Sequence, residues 1–121
     1  MTVPSHLQYT RDHEWIGDLS TVGITRFAAD ALGDIVYIDL PEPGREVRAG
    51  EPCGEVESTK SVSDLLAPAD GVVEEVNPAV AADPALINED PYANWLFRIR
   101  VTGGADLLDA EAYAALIGSQ R

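Results

Sequence analysis

Apolar residues come in short bursts, and Gly or Pro interrupts almost every burst. Trp15 and Ile16 follow a polar segment and predict a strand start. Ser20 to Ile24 predicts a short strand through Thr21, Val22 and Ile24. Asp34 to Leu40 is a dense β run with Ile35, Val36, Tyr37, Ile38 and Leu40. Pro41, Pro43 and Gly44 stop it. Further strands are predicted at Arg45 to Arg48, Cys53 to Thr59, Val62 to Leu66, Gly71 to Val76 and Trp95 to Val101. Seven or eight short strands divided by turns predict a sandwich or barrel rather than alternating strand and helix units. The stretches Glu42-Pro43-Gly44 to Val47 and Pro68 to Gly71-Val72 each place a turn before a Val-bearing strand, as two similar facing sheets would.

Two helices are expected. Thr25 can cap Arg26 to Leu32, with Gly33 ending the helix. Asp109 can cap Ala110 to Ile117, with Leu108 and Tyr113 forming a hydrophobic staple and Gly118 ending it. Tyr113, Leu116 and Ile117 share a face that would close over an open sheet. Pro78 to Pro91 shows weak periodicity and predicts a structured crossover centred on Leu86 and Ile87.

Composition narrows the function classes. A length of 121 residues fits one domain, 1-121. The formal charge is -13, with 21 acidic residues against 8 basic ones. Phosphate binding needs clustered Lys and Arg, so nucleic acid is excluded as an expected partner, and anionic lipid is disfavoured. One cysteine, Cys53, permits no intrachain disulfide and no all-Cys metal site. No apolar run approaches membrane-spanning length, and the N-terminus has no leader-like segment. A cytoplasmic, bacterial protein is expected, acting as a monomer. Seven of the eight basic residues are arginine, and Lys60 is the only lysine.

Most catalytic templates are absent, including glycine-rich phosphate loops and the Gly-x-Ser-x-Gly elbow. Cys53 has no basic neighbour to stabilise a thiolate and is expected in the core. Glu55 and Glu57 should share one face of a strand. Lys60 lies between two predicted strands, surrounded by Ser58, Thr59 and Ser61. A hairpin tip holds an amine in water, where a protein-sized modifying enzyme can reach it. An unmodified surface lysine in a turn is the alternative that these residues alone leave open.

The order of several blocks decides further. They are Gly54-Glu55-Val56-Glu57-Ser58-Thr59-Lys60, then Ser63-Asp64, then Ala67-Pro68 before Gly71. Supporting blocks are His13-Glu14-Trp15, Gly23-Ile24-Thr25, Leu32-Gly33-Asp34-Ile35-Val36, Leu40-Pro41 with Gly44, Val76-Asn77, and Leu86-Ile87-Asn88 with Pro91-Tyr92. Together they resemble the lipoyl-carrier H-protein family of the glycine cleavage system, from Tyr9 to Tyr113. The resemblance implies an all-β fold, a lipoyl-type barrel-sandwich hybrid of two antiparallel sheets with short helices, one of them C-terminal. It implies lipoate attached covalently to Lys60, and a carrier rather than an enzyme. The carrier would shuttle an aminomethyl group and reducing equivalents between three partners: a PLP-dependent glycine decarboxylase, a folate-dependent aminomethyltransferase and a dihydrolipoamide dehydrogenase that uses FAD and NAD. A lipoyl-attaching enzyme is the fourth implied partner. The resemblance also implies an arm-parking cleft, with Glu14 and Asp64 at matching positions and Asp12 where the family often has a small hydroxyl residue.

Departures are local. Thr59 stands where the family usually has Val, Ser61 where it has Ala, and Ala31 where many members carry His. A lipoyl domain of a 2-oxoacid dehydrogenase complex is a rival, but usually places Asp before its lysine. A biotin carrier would place Met on both sides. A relay protein passing lipoyl or octanoyl groups to other enzymes is a further alternative.

Overall fold

The computed structural model describes residues 3–119. Positions 1, 2, 120 and 121 of the expected domain lie outside them. β-branched and aromatic runs between Gly and Pro breaks form nine strands: β1 Gln8–Tyr9, β2 Glu14–Ile16, β3 Thr21–Ile24, β4 Ile35–Asp39, β5 Glu46–Val47, β6 Pro52–Ser58, β7 Val62–Leu66, β8 Gly71–Val76 and β9 Phe97–Val101. One sheet runs β1-β2-β3-β9-β8-β5 and the other β4-β6-β7, and every strand pair is antiparallel. This is the two-sheet architecture expected from the sequence. The turn-plus-Val stretches do not face each other across two sheets. They pair within one, Glu46 with Val72 and Val47 with Gly71.

Four helices decorate the sheets: α1 Arg26–Leu32, α2 Pro78–Ala82, α3 Ala85–Glu89 and α4 Ala110–Ser119. The Thr25 hydroxyl accepts from the Ala28 N–H at 3.2 Å, the expected cap of α1. The Asp109 carboxylate accepts from the Ala112 N–H at 2.8 Å and starts α4. Gly118 does not end α4, which runs on to Ser119. The Pro78 to Pro91 crossover is two short helices. Its first is capped by Asn77, whose side chain accepts from the Ala79 N–H. β3 begins at Thr21 rather than Ser20, because Leu19 and Ser20 sit at φ 60° and 55° in a 3-10 turn.

The main core fills the space between the sheets, with Val22, Val73, Val80, Ile87, Leu96, Phe97 and Ile99 sealed from water. A second cluster joins Leu7, Tyr9 and Trp15 to Tyr113 and Ile117 of α4. The Tyr9 and Tyr113 rings stack at 4.5 Å. Among the described residues, no helix is long and apolar enough to cross a membrane.

Candidate functional site

Lys60 occupies the tip of the β6–β7 hairpin. Ser58 shapes the bend: its N–H donates to the Ser61 carbonyl at 2.8 Å, and its hydroxyl accepts from the N–H groups of Lys60 and Ser61. The Thr59 N–H donates to the Asp34 carbonyl at 3.0 Å and ties the tip to the segment after α1. Lys60 is exposed and forms no ion pair among the described residues. Its stem does not stand clear of the body, as a bare hairpin tip would predict. It lies across Gly33, where an added Cβ would come within 3.1 Å of the lysine Cε. Gly33, at φ 84° and ψ -155°, holds a backbone region essentially reserved for glycine.

Asn88 fixes that saddle. Its amide donates to the Gly33 carbonyl at 2.8 Å, and its side-chain oxygen accepts from the Ile35 N–H at 2.9 Å. Arg26 binds the Asn88 and Glu89 carbonyls and so locks α1 to α3. Sequence reading singled out Asn88 only as part of a block. Its role needs α3 to be folded against α1.

Beside the saddle lies a cleft of about 180 Å³. Asp12, His13 and Glu14 line one wall, Ala28, Ala31 and Leu32 of α1 a second, and Val56, Ser63, Asp64 and Leu65 a third. Asp12 and Glu14, neighbours in sequence, therefore line one cleft with Asp64, some fifty residues further along the chain. Lys60 is not among the lining residues, and Leu32 beside Gly33 connects the two features. The apolar lining, unreadable in sequence, comes from Ile24, Ala28, Ala31, Leu32, Val56 and Leu65. Ala31 narrows the cleft less than a larger residue would.

Glu14 is 3% exposed. Burial pushes its carboxyl up to about 8, and Asp12 adds to the rise, while hydrogen bonds from Thr10 and the Leu66 backbone oppose it. The Thr10 hydroxyl donates to Glu14 Oε1 at 2.8 Å and accepts from the N–H groups of Asp12 and Glu14. Thr10 was missed in the sequence, although a threonine four residues before a carboxylate is the signal of such a turn. His13 sits at φ 69° in this turn, with Nδ1 2.9 Å from the Tyr113 hydroxyl and its carbonyl accepting from the Thr25 N–H. Asp64 approaches from β7, an edge strand, where it pairs with Glu55. Cys53 is buried, and its thiol is pushed up to about 12, as a core cysteine without thiolate chemistry should be.

Exposed amine, glycine saddle and cleft can receive a long acyl arm. Apolar walls suit methylenes, each worth about 0.8 kcal/mol when buried, and the carboxyl end suits an amine. Known proteins carry the same arrangement of sequence. The Glycine cleavage H-protein family profile matches residues 7–120. The chain is 55% identical to the glycine cleavage system H protein of Beutenbergia cavernae, covering 99% of this chain and all of that one. It is 51% identical to the H protein of Streptomyces coelicolor, over 98% of this chain and all of that one. The crystal structure of the H protein from Mycobacterium marinum superposes with a TM-score of 0.90 at 50% identity, covering 96% of this chain and 99% of that one.

Proposed function

The chain belongs to the glycine cleavage H-protein family, and on that basis we propose that Lys60 is its lipoyl attachment residue and that Glu14, Asp64 and Asp12 form the polar end of the cleft that shelters the arm. The protein is a carrier and not an enzyme, and its cofactor is lipoate on a lysine. Its partners are the glycine decarboxylase, the aminomethyltransferase and the dihydrolipoamide dehydrogenase of the glycine cleavage system. The observation that carries the residue assignment is simple: the chain has one lysine, and it is Lys60.

The dithiolane supplies the chemistry when bound, accepting an aminomethyl group and electrons from glycine decarboxylation and passing them on. The chain's own residues present and protect. Ser58 and Thr59 hold the bend, and Lys60 stays exposed there while its stem rests against Gly33. Acylation removes the lysine's charge, which suits a stem resting on the uncharged Gly33 surface. The α1 alanines leave room for methylenes. Burial favours the protonated form of Glu14 at neutral pH, and the group ionises more readily when an ammonium group arrives beside it. Asp12 and Asp64 add negative potential at the cleft edge.

Residues 1-121 act as a single lipoyl-carrier domain, monomeric and cytoplasmic, in keeping with bacterial relatives and the lack of a membrane-spanning helix among the described residues. The test is intact mass and peptide mapping of protein from cells supplied with lipoate. One lipoyl addition on Lys60 is expected, and Lys60→Arg should fold normally yet support no glycine cleavage. Lipoate elsewhere, or full turnover by Lys60→Arg, overturns the assignment.

A further inference from the structure

The outer face of the β4-β6-β7 sheet exposes apolar side chains that neither the core nor the cleft uses. Val36 and Tyr37 are consecutive in β4, yet they are 55% and 53% exposed. Strand alternation would turn one of them inward. The register shift between Ile35 and Tyr37 against β6 turns both outward, as bulges do when they re-aim side chains. Val62, 58% exposed, shares a row with Tyr37: Tyr37 pairs with Glu57, and Glu57 with Val62. Val62 lies two residues beyond Lys60, and the Thr59–Asp34 hydrogen bond ties the tip to the start of β4. Isolated surface hydrophobics need no explanation, but three gathered on one face beside a lysine do.

Carboxylates also face one another on this sheet. Asp39 pairs with Glu55 across β4 and β6, and both are exposed. Carboxylates opposite one another on neighbouring strands repel. None of the ion pairs among the described residues neutralises them. A basic surface laid over this face would relieve the repulsion, meet the exposed Glu57 between Tyr37 and Val62, and cover the apolar side chains on either side of it.

We propose that this face is the docking surface for the enzyme that acylates Lys60, which meets it with an apolar depression rimmed by Arg or Lys beside its active-site mouth. The proposal rests on Lys60 being the attachment residue. The choice of partner follows from reach. An acylating enzyme must bring an activated acyl group to Nζ itself, so its surface has to cover the ground around the hairpin tip. Enzymes that work on the far end of the finished arm meet it at the arm's length and need not touch this face. In the step itself, the Nζ lone pair forms the amide bond to an acyl adenylate. The acyl–oxygen bond breaks with its electrons leaving on AMP, and the amine gives a proton to solvent.

The test follows acylation by intact mass, using a lipoate–protein ligase with lipoate and ATP over a range of carrier concentrations. The triple variant Val36→Ser, Tyr37→Ser, Val62→Ser should lose about tenfold in kcat/KM, through KM, with kcat within about twofold. Leu19→Ser, on an exposed residue in the 3-10 turn, should change neither. Tyr37→Gln and Val62→Thr, made singly, carry the test if the triple variant melts early, each raising KM by about threefold. An unchanged KM, with Lys60 still acylated, overturns the docking face and leaves the attachment reading standing. No acylation of the wild type at Lys60 overturns the attachment reading and the docking proposal with it. In a titration of ¹⁵N-labelled Lys60→Arg protein with the ligase, amides of β4, β6 and β7 should shift. If simple concentration of the carrier shifts the same amides, the face is a contact between two copies, and the proposal falls.

Discussion

Glu14 puts a carboxyl where little water reaches it, and the consequence can be worked out with its sign. Its folded value of about 8 lies above the ordinary 4.5. Between those values the folded chain holds a proton that the unfolded chain has released. Stability contributed by this group is therefore complete below about pH 4.5 and is lost as pH rises towards 8. Glu14→Gln cannot ionise and escapes the loss. Urea denaturation should show the variant gaining roughly 2–4 kcal/mol on the wild type between pH 5 and 8. Parallel pH profiles for the two proteins would mean that the carboxyl is not held neutral. The same variant should accept lipoate normally and lose the aminomethyl group from the loaded arm faster. An unchanged hydrolysis rate would remove Glu14 from the protective role.

The C-terminal helix reaches the cleft through one hydroxyl. Tyr113 OH lies 2.9 Å from His13 Nδ1 and 2.7 Å from Thr25 Oγ1, so α4, the Thr10–Glu14 turn and the cap of α1 share a junction. Tyr113→Phe keeps the stacking on Tyr9 and removes both hydrogen bonds from the junction. It should cost about 1–3 kcal/mol in urea denaturation, and an unmoved midpoint would show that the hydroxyl ties nothing together. The cap and the staple pair of this helix were legible, since Asp109, Leu108 and Tyr113 are local in sequence. The strands β4, β6, β7, β8 and β9 were legible to within two residues, because each is a β-rich run between turn residues. β1 was not, because a strand of two residues carries no periodicity. The helices after Asn77 were also too short for periodicity. Their real signal was Asn77 followed by Pro78, a cap with proline in the first turn. Of the site, the tip lysine was visible in local sequence. The cleft was not, because β2, α1, β6 and β7 supply its walls, and only tertiary folding brings Ala28 and Ala31 opposite Val56.

A chain with a formal charge of -13 repels itself when folded and attracts basic partners when it meets them. Both effects are screened over about 10 Å at 0.1 M salt, but they act on different measurements in opposite directions. The four ion pairs among the described residues involve exposed or half-exposed side chains, so screening them removes little stability. Relief of self-repulsion should dominate, and the melting temperature should rise by a few degrees between about 0.05 and 0.5 M NaCl. Over the same range, acylation by the ligase should slow by about an order of magnitude in kcat/KM, because the acidic rows around Lys60 no longer steer a basic surface onto the tip. Sodium sulfate is the wrong salt for this comparison, since it strengthens apolar burial as well. A melting temperature that falls with NaCl would mean that the few ion pairs outweigh the excess of carboxylates. A ligase rate indifferent to NaCl would mean that apolar contact at Val36, Tyr37 and Val62 governs encounter without help from charge.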